Sequence, residues 1–153
     1  MPRHSETKHF PYTPDQLFDL VADVGSYDQF LPWVSAVRIR SDSDREMTAD
    51  LIVGFNAFKE RFTSRVTKER PHRICVDYIE GPLKYLKNEW KFDPAPQGGT
   101  DVHFSVDFAF KSRLFESLAG QMFDRALRRM TGAFEKRADE LYGISKSSAQ
   151  SAA

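Results

Sequence analysis

The stretch Thr100-Asp101-Val102-His103-Phe104-Ser105-Val106-Asp107-Phe108-Ala109-Phe110 alternates strictly. Val102, Phe104, Val106, Phe108 and Phe110 fall on one side, and His103, Ser105, Asp107 and Ala109 on the other. A repeat of two marks a strand with one buried face. The period then changes. From residue 113 to 142, Leu114, Leu118, Met122, Ala126, Met130, Phe134, Ala138 and Tyr142 recur every fourth residue, flanked by Phe115, Phe123, Leu127 and Leu141. That pattern predicts one amphipathic helix roughly 45 Å long, at about 1.5 Å per residue. An aromatic-lined strand feeding a long terminal helix predicts a sheet wrapped around that helix, with any ligand site between them.

Upstream, residues 6–12 read as a first strand. Thr13-Pro14-Asp15-Gln16 combines an N-cap, a proline at the first helical position and a capping-box glutamine. The helix it opens buries Leu17, Phe18, Leu20, Val21 and Val24, and Gly25 is expected to stop it. Residues 27–34, with Phe30, Leu31 and Trp33 apolar and Pro32 inside, read as a second short helix. Strands are predicted at 36–41, 46–55, 58–68, 73–79 and 85–92, with turns at Asp42-Ser43-Asp44 and Gly81-Pro82 and a hairpin loop over 93–100. Gly143 caps the long helix. Residues 1–143 form the expected domain, and 144–153 a low-complexity, disordered tail. Strands joined by short turns pair antiparallel, and helices kept to one side of such a sheet make an α+β fold.

A chain of 153 residues carries one full hydrophobic core. Lys plus Arg and Asp plus Glu balance at 22 each, so bulk charge calls for no nucleic-acid partner and DNA is not expected. Thirteen phenylalanines fit an aromatic core or rings lining a cavity for a large apolar ligand, and composition does not separate the two. A single cysteine, Cys75, excludes an intrachain disulfide and a multi-cysteine zinc site; its apolar strand pattern predicts burial, and a reducing compartment fits. No apolar run approaches the ~18 residues of a membrane span. Residues 1–8 lack a signal peptide's apolar core. The expectation is a cytoplasmic protein, at most peripheral to the inner membrane.

Asp23-Val24-Gly25-Ser26-Tyr27-Asp28-Gln29-Phe30-Leu31-Pro32-Trp33 resembles the D-V-x-x-Y-x-x-F-L-P-W segment of the coenzyme Q-binding START-like family. Bacterial members of that family are also described as ribosome-association toxins, and it sits within the polyketide cyclase/dehydrase superfamily. Gly54-Phe55, Phe62-Thr63-Ser64-Arg65-Val66, Gly81-Pro82-Leu83, Leu86, Trp90-Lys91-Phe92, Phe108-Ala109-Phe110-Lys111-Ser112 and Ala133-Phe134-Glu135-Lys136-Arg137-Ala138 continue the likeness in order. It covers about residues 5–143. Ser35 departs from it, since many relatives carry cysteine after the tryptophan. The resemblance implies a START-like helix-grip: a curved antiparallel sheet of about six to seven strands around a long C-terminal helix, with two short helices after the first strand and a hydrophobic tunnel. It also implies binding of ubiquinone or a related polyprenyl quinone by a carrier or chaperone supporting respiration and quinone biosynthesis. No catalytic residue set and no cofactor beyond that ligand carries over.

Strand parity and the helix stripe nominate the tunnel lining: Val53, Phe55, Phe62, Tyr78, Leu86, Trp90, Phe104, Val106, Phe108, Leu118, Met122 and Met130. Phe30 and Trp33 are nominated at one end, where the F-L-P-W segment reads as a cavity mouth, a membrane-facing surface or a plug for the core. Arg125, Arg128 and Arg129, with Lys136 and Arg137, make the outer helix face partly basic, interrupted by Asp124, Glu135, Asp139 and Glu140. Three readings are open for it: a solvated face, a transient contact with anionic lipid, or contact with RNA of the large ribosomal subunit. His4, His9, His72 and His103 show no metal-ligand spacing, and no metal site is expected. No nucleophile motif is present, and Gly98-Gly99 reads as a turn. Asp77 and Asp107 read as solvent-facing. A cyclase-type enzyme needs an ionisable group inside the cavity. Glu60, sharing parity with Phe58, Phe62 and Ser64, is the candidate, against its reading as an edge charge.

Overall fold

A computed structural model describes residues 3–55 and 58–143; the side chains of Phe55 and Phe58 lie outside that description, as does the predicted tail. The elements are β1 (Arg3–Phe10), α1 (Pro14–Ala22), a 3-10 helix (Val24–Gln29), β2 (Val34–Asp42), β3 (Glu46–Phe55), β4 (Phe58–Glu69), β5 (Arg73–Glu80), β6 (Leu83–Pro94), β7 (Thr100–Phe110), α2 (Arg113–Arg128) and α3 (Met130–Tyr142). The seven strands form one antiparallel sheet in the order β1-β7-β6-β5-β4-β3-β2. The fold is the predicted α+β helix-grip, and β7 begins and ends where its alternation does.

Local chemistry sets the boundaries. Gln16 N–H donates to the Thr13 hydroxyl at 3.1 Å and Thr13 N–H to the Gln16 side-chain oxygen at 3.0 Å, closing the capping box that starts α1. α1 ends at Ala22 with Asp23 as its cap, so Gly25 is not its stop but lies inside the 3-10 helix. Residues 27–34 are not a second α-helix. The 3-10 helix ends at Gln29, Pro32 has no N–H to continue a helical ladder, and Val34 already pairs with Val53 in the sheet. Tyr12 lies beyond β1, which starts at Arg3. At the β5–β6 turn Gly81 has φ +147°, and a Cβ there meets the Arg61 carbonyl at 2.7 Å, so only glycine fits.

The predicted single helix divides at Arg129. Its N–H is shared between the carbonyls of Arg125 (3.1 Å) and Ala126 (3.2 Å), while its own carbonyl accepts from Ala133 N–H (3.0 Å), so the chain passes from α2 to α3 with little loss of hydrogen bonding. Gly143 is the C-cap. The inward stripe differs from the predicted one: Ala119, Phe123, Ala126, Leu127, Thr131, Phe134 and Ala138 are buried, whereas Leu114 and Leu118 are 69 % and 50 % exposed. A step of four residues turns about 400° at about 100° per residue, so an every-fourth-residue row winds about 40° further around the axis at each step. Leu118 sits about 160° from Phe134, while Phe123 sits within about 20° of it.

Phe10, Phe92, Phe104, Phe108 and Phe134 are fully buried between sheet and helices, each contributing about 1.5–3 kcal/mol over exposure. Tyr12 donates its hydroxyl to Asp139, and Tyr142 donates to the Gln16 carbonyl at 3.0 Å, tying α3 to the start of α1. Cys75 is half-exposed rather than buried: it shares parity with Arg73 and Asp77 on the outer face, its Sγ 3.8 Å from Glu89. His103 faces outward as predicted, against Thr7 and Asp93.

Candidate functional site

A cavity of about 140 Å³ lies between the concave face of the sheet and the helices. The inward rows of β3 to β7 form its floor, among them Ala49, Val53, Phe62, Val66, Ile74, Val76, Leu86, Trp90, Phe104 and Val106. Phe123, Ala126 and Leu127 of α2 and Met130 and Phe134 of α3 close it from above, and Val24, Tyr27, Leu31 and Trp33 close one end. Trp90 fixes much of its shape, packing edge-on to Phe104 (4.7 Å between ring centres) and Phe134 (4.9 Å).

Three polar side chains reach this wall. Tyr27 donates its hydroxyl to the Val21 carbonyl, and burial, reinforced by the Asp23 charge, raises its phenol far above the usual range, so it stays neutral. Asn88 donates from its amide to the Ser105 carbonyl (2.8 Å) and accepts from the Trp90 indole (3.1 Å). Ser64 is 8 % exposed. No carboxylate, histidine, lysine or arginine lines the cavity among the described residues.

The structure brings Trp33, Val53, Phe62, Leu86, Trp90, Phe104, Val106 and Met130 together around the cavity. It leaves out five other nominees. Phe108 is buried against Phe110 and Phe123, beyond the cavity. Tyr78 packs on Phe62 and accepts the Leu83 N–H at 2.8 Å. Phe30 lies outside, edge-on to Phe134 at 5.0 Å. Leu118 and Met122 point elsewhere because of the winding described above, and the Phe55 side chain is outside the described residues. Glu60 shares strand parity with the floor but does not line it. The nominations missed Phe123, Leu127 and Phe134, which a strict 100° count would have found. They also missed Ser64 and Asn88, which share parity with Phe62 and Trp90 but are polar.

Beside the cavity runs an outer groove lined by Phe30, Pro32 and Trp33, by five cations, Lys8, Arg128, Arg129, Lys136 and Arg137, and by two carboxylates, Glu6 and Glu140. Trp33 lines both spaces. Arg128 pairs with Asp124 at 2.9 Å, and Lys8 with Glu135 at 2.9 Å. Arg137 donates to Gln29 at 2.9 Å and lies over the Phe30 ring at 5.4 Å, pinning α3 to the Phe30 segment. Arg129 and Lys136 form no ion pair among the described residues. Arg125, Arg128 and Arg129 are all exposed, and the last two border this groove while Arg125 does not.

The model of the family described as polyketide cyclase/dehydrase and lipid transport matches residues 10–135. The ribosome association toxin RatA of Rickettsia prowazekii is 40 % identical over 139 residues, 88 % of this chain and 94 % of that one. The mitochondrial coenzyme Q-binding protein COQ10 homolog B of Xenopus laevis is 35 % identical over 144 residues, covering 92 % of this chain and 59 % of the frog protein. The solution structure of the 18 kDa protein CC1736 from Caulobacter crescentus superposes with a TM-score of 0.71 at 40 % identity, over 94 % of this chain and 99 % of that one. An apolar chamber gripped between a seven-stranded sheet and a terminal helix, together with a match spanning almost the whole domain, makes this chain a member of the polyketide cyclase/dehydrase and lipid-transport family, with RatA and COQ10 among its relatives.

Proposed function

We propose that this protein binds ubiquinone or a related polyprenyl quinone and carries it as a sheltered ligand, without chemical conversion. The observation that carries the reading is the chamber itself, aromatic and aliphatic on nearly every side and free of ionisable groups among the described residues. Such a wall removes apolar surface from water at about 25 cal/mol per Å² and offers no acid or base for a cyclase reaction. The likeness to COQ10 supports a quinone as the occupant. At about 140 Å³ the chamber is the size of a six-membered ring, since an engineered cavity of about 150 Å³ takes up benzene. A full isoprenoid chain requires the walls to part or the chain to lie outside. Mass spectrometry of organic extracts from purified protein tests the proposal. The expected result is a polyprenyl quinone near one per chain. Lipid-free extracts, together with no uptake of added ubiquinone, would overturn it.

A second reading is favoured by the cationic groove and by the likeness to RatA: this face meets an anionic partner, either the large ribosomal subunit or an acidic membrane surface. It does not compete with the first, because the groove and the chamber use different faces of the helices.

A further inference from the structure

Ser64 and Asn88 interrupt an otherwise apolar floor. Ser64 is more than nine-tenths buried, and its hydroxyl makes no hydrogen bond among the described residues. The oxygen is accessible from the chamber, so the hydroxyl can donate to an occupant there. Asn88 is held from both sides. The Trp90 indole only donates and the Ser105 carbonyl only accepts, so the amide orientation is fixed by its neighbours. One amide N–H of Asn88 is committed to Ser105, and the second remains.

The sheet register sets their separation. Asn88 pairs with Val76, Val76 pairs with Val66, and Ser64 lies two residues before Val66 on the same inward row. Two strand spacings of about 4.8 Å and two residue steps of about 3.4 Å put their Cα atoms about 12 Å apart, with side chains converging on a concave face. That is too wide for one acceptor atom and suits two acceptors on opposite edges of one ring.

We propose that Ser64 and Asn88 recognise the ring of the ligand, each donating to one of two opposed carbonyl oxygens, and that the ligand enters ring-first with its chain trailing out. The assignment rests on the quinone reading above. It deepens that reading by making the chamber a headgroup site rather than a tail site. A fatty acid fits it poorly, because its carboxylate loses solvation against this wall without gaining a cation.

The test is titration calorimetry on the full chain with two probes, decylubiquinone and decylbenzene. Both carry a ten-carbon tail on a ring, and only the first has carbonyls. Ser64→Val and Asn88→Leu are each expected to weaken decylubiquinone about three- to tenfold, the range of one neutral hydrogen bond. Decylbenzene is expected to bind Ser64→Val as it binds the wild type, and to lose less than decylubiquinone in Asn88→Leu, which also frees the Trp90 indole N–H. Ser64→Ala, milder on packing, accompanies Ser64→Val, and thermal melts check that each variant folds. Equal losses on both probes, or none on either, would overturn the ring assignment while leaving quinone carriage standing. A wild-type protein that binds neither probe would overturn both.

Discussion

Asp50 is a carboxylate at 3 % exposure on the convex side of the sheet, away from the cavity. Thr63 donates to one oxygen at 2.6 Å and Arg40 to the other at 2.8 Å. Burial alone pushes its carboxyl up. The Thr63 and Arg40 hydrogen bonds, with the charges of Arg40 and Arg61, outweigh that and hold it below the usual carboxylate range. The folded state therefore binds the proton less tightly than the unfolded chain. The resulting stability is fully present above the unfolded carboxylate value near ~3.9 and is lost as pH falls through the lower folded value. Asp50→Asn is expected to cost about 1–3 kcal/mol at neutral pH, and the gap to the wild type is expected to close progressively below about pH 4. Urea titrations from pH 7 to pH 2 check this, and a gap independent of pH would contradict it. Nothing in the alternation of β3 marks Asp50 as buried, since its parity is that of the outer face. The partners that bury it come from β2 and β4, and a linear pattern does not carry that information.

The strongest signals carried by a single element were legible. β7 alternates to its last residue, and the Thr13–Gln16 box places the start of α1. What depends on summing small angles over a long element was not. A row of every fourth residue holds one face for two or three turns and then leaves it. The C-terminal end of that row, Met130, Phe134 and Ala138, faces the sheet, and its N-terminal end, Leu114 and Leu118, faces out. The F-L-P-W segment failed for another reason, because its apolar residues are spent on capping the cavity end and the outer groove, not on a helix face. The corrected phase makes a sharp prediction. Phe123→Ala, at a site packed by Phe62, Phe108 and Phe110, is expected to cost about 3–4 kcal/mol. Leu118→Ala is expected to change stability by less than about 0.5 kcal/mol. Equal losses in urea denaturation would return the inward face to the every-fourth-residue row.

Across the whole molecule the helices serve two surfaces. Phe123, Leu127, Met130 and Phe134 roof the chamber, while Arg128, Arg129 and Lys136 border the outer groove. Trp33 lies in the wall shared by the two, so a ligand inside and a partner outside meet through one indole. The net charge of the chain is zero, so attraction to an anionic surface has to come from this local cluster and falls off within about 10 Å at 0.1 M salt. Each cation near an acidic bilayer contributes about 1 kcal/mol. Reversing Arg128, Arg129 and Lys136 to glutamate is therefore expected to lower binding to phosphatidylserine-containing vesicles at least about 100-fold at low salt and to flatten its salt dependence. Cosedimentation with large ribosomal subunits, measured on the same preparation, identifies which anionic partner the face prefers. Decylubiquinone affinity is expected to hold, because none of the three side chains reaches the chamber. If quinone affinity drops together with surface binding, the groove and the chamber form one site, and Trp33 is a moving part between them and not a fixed wall.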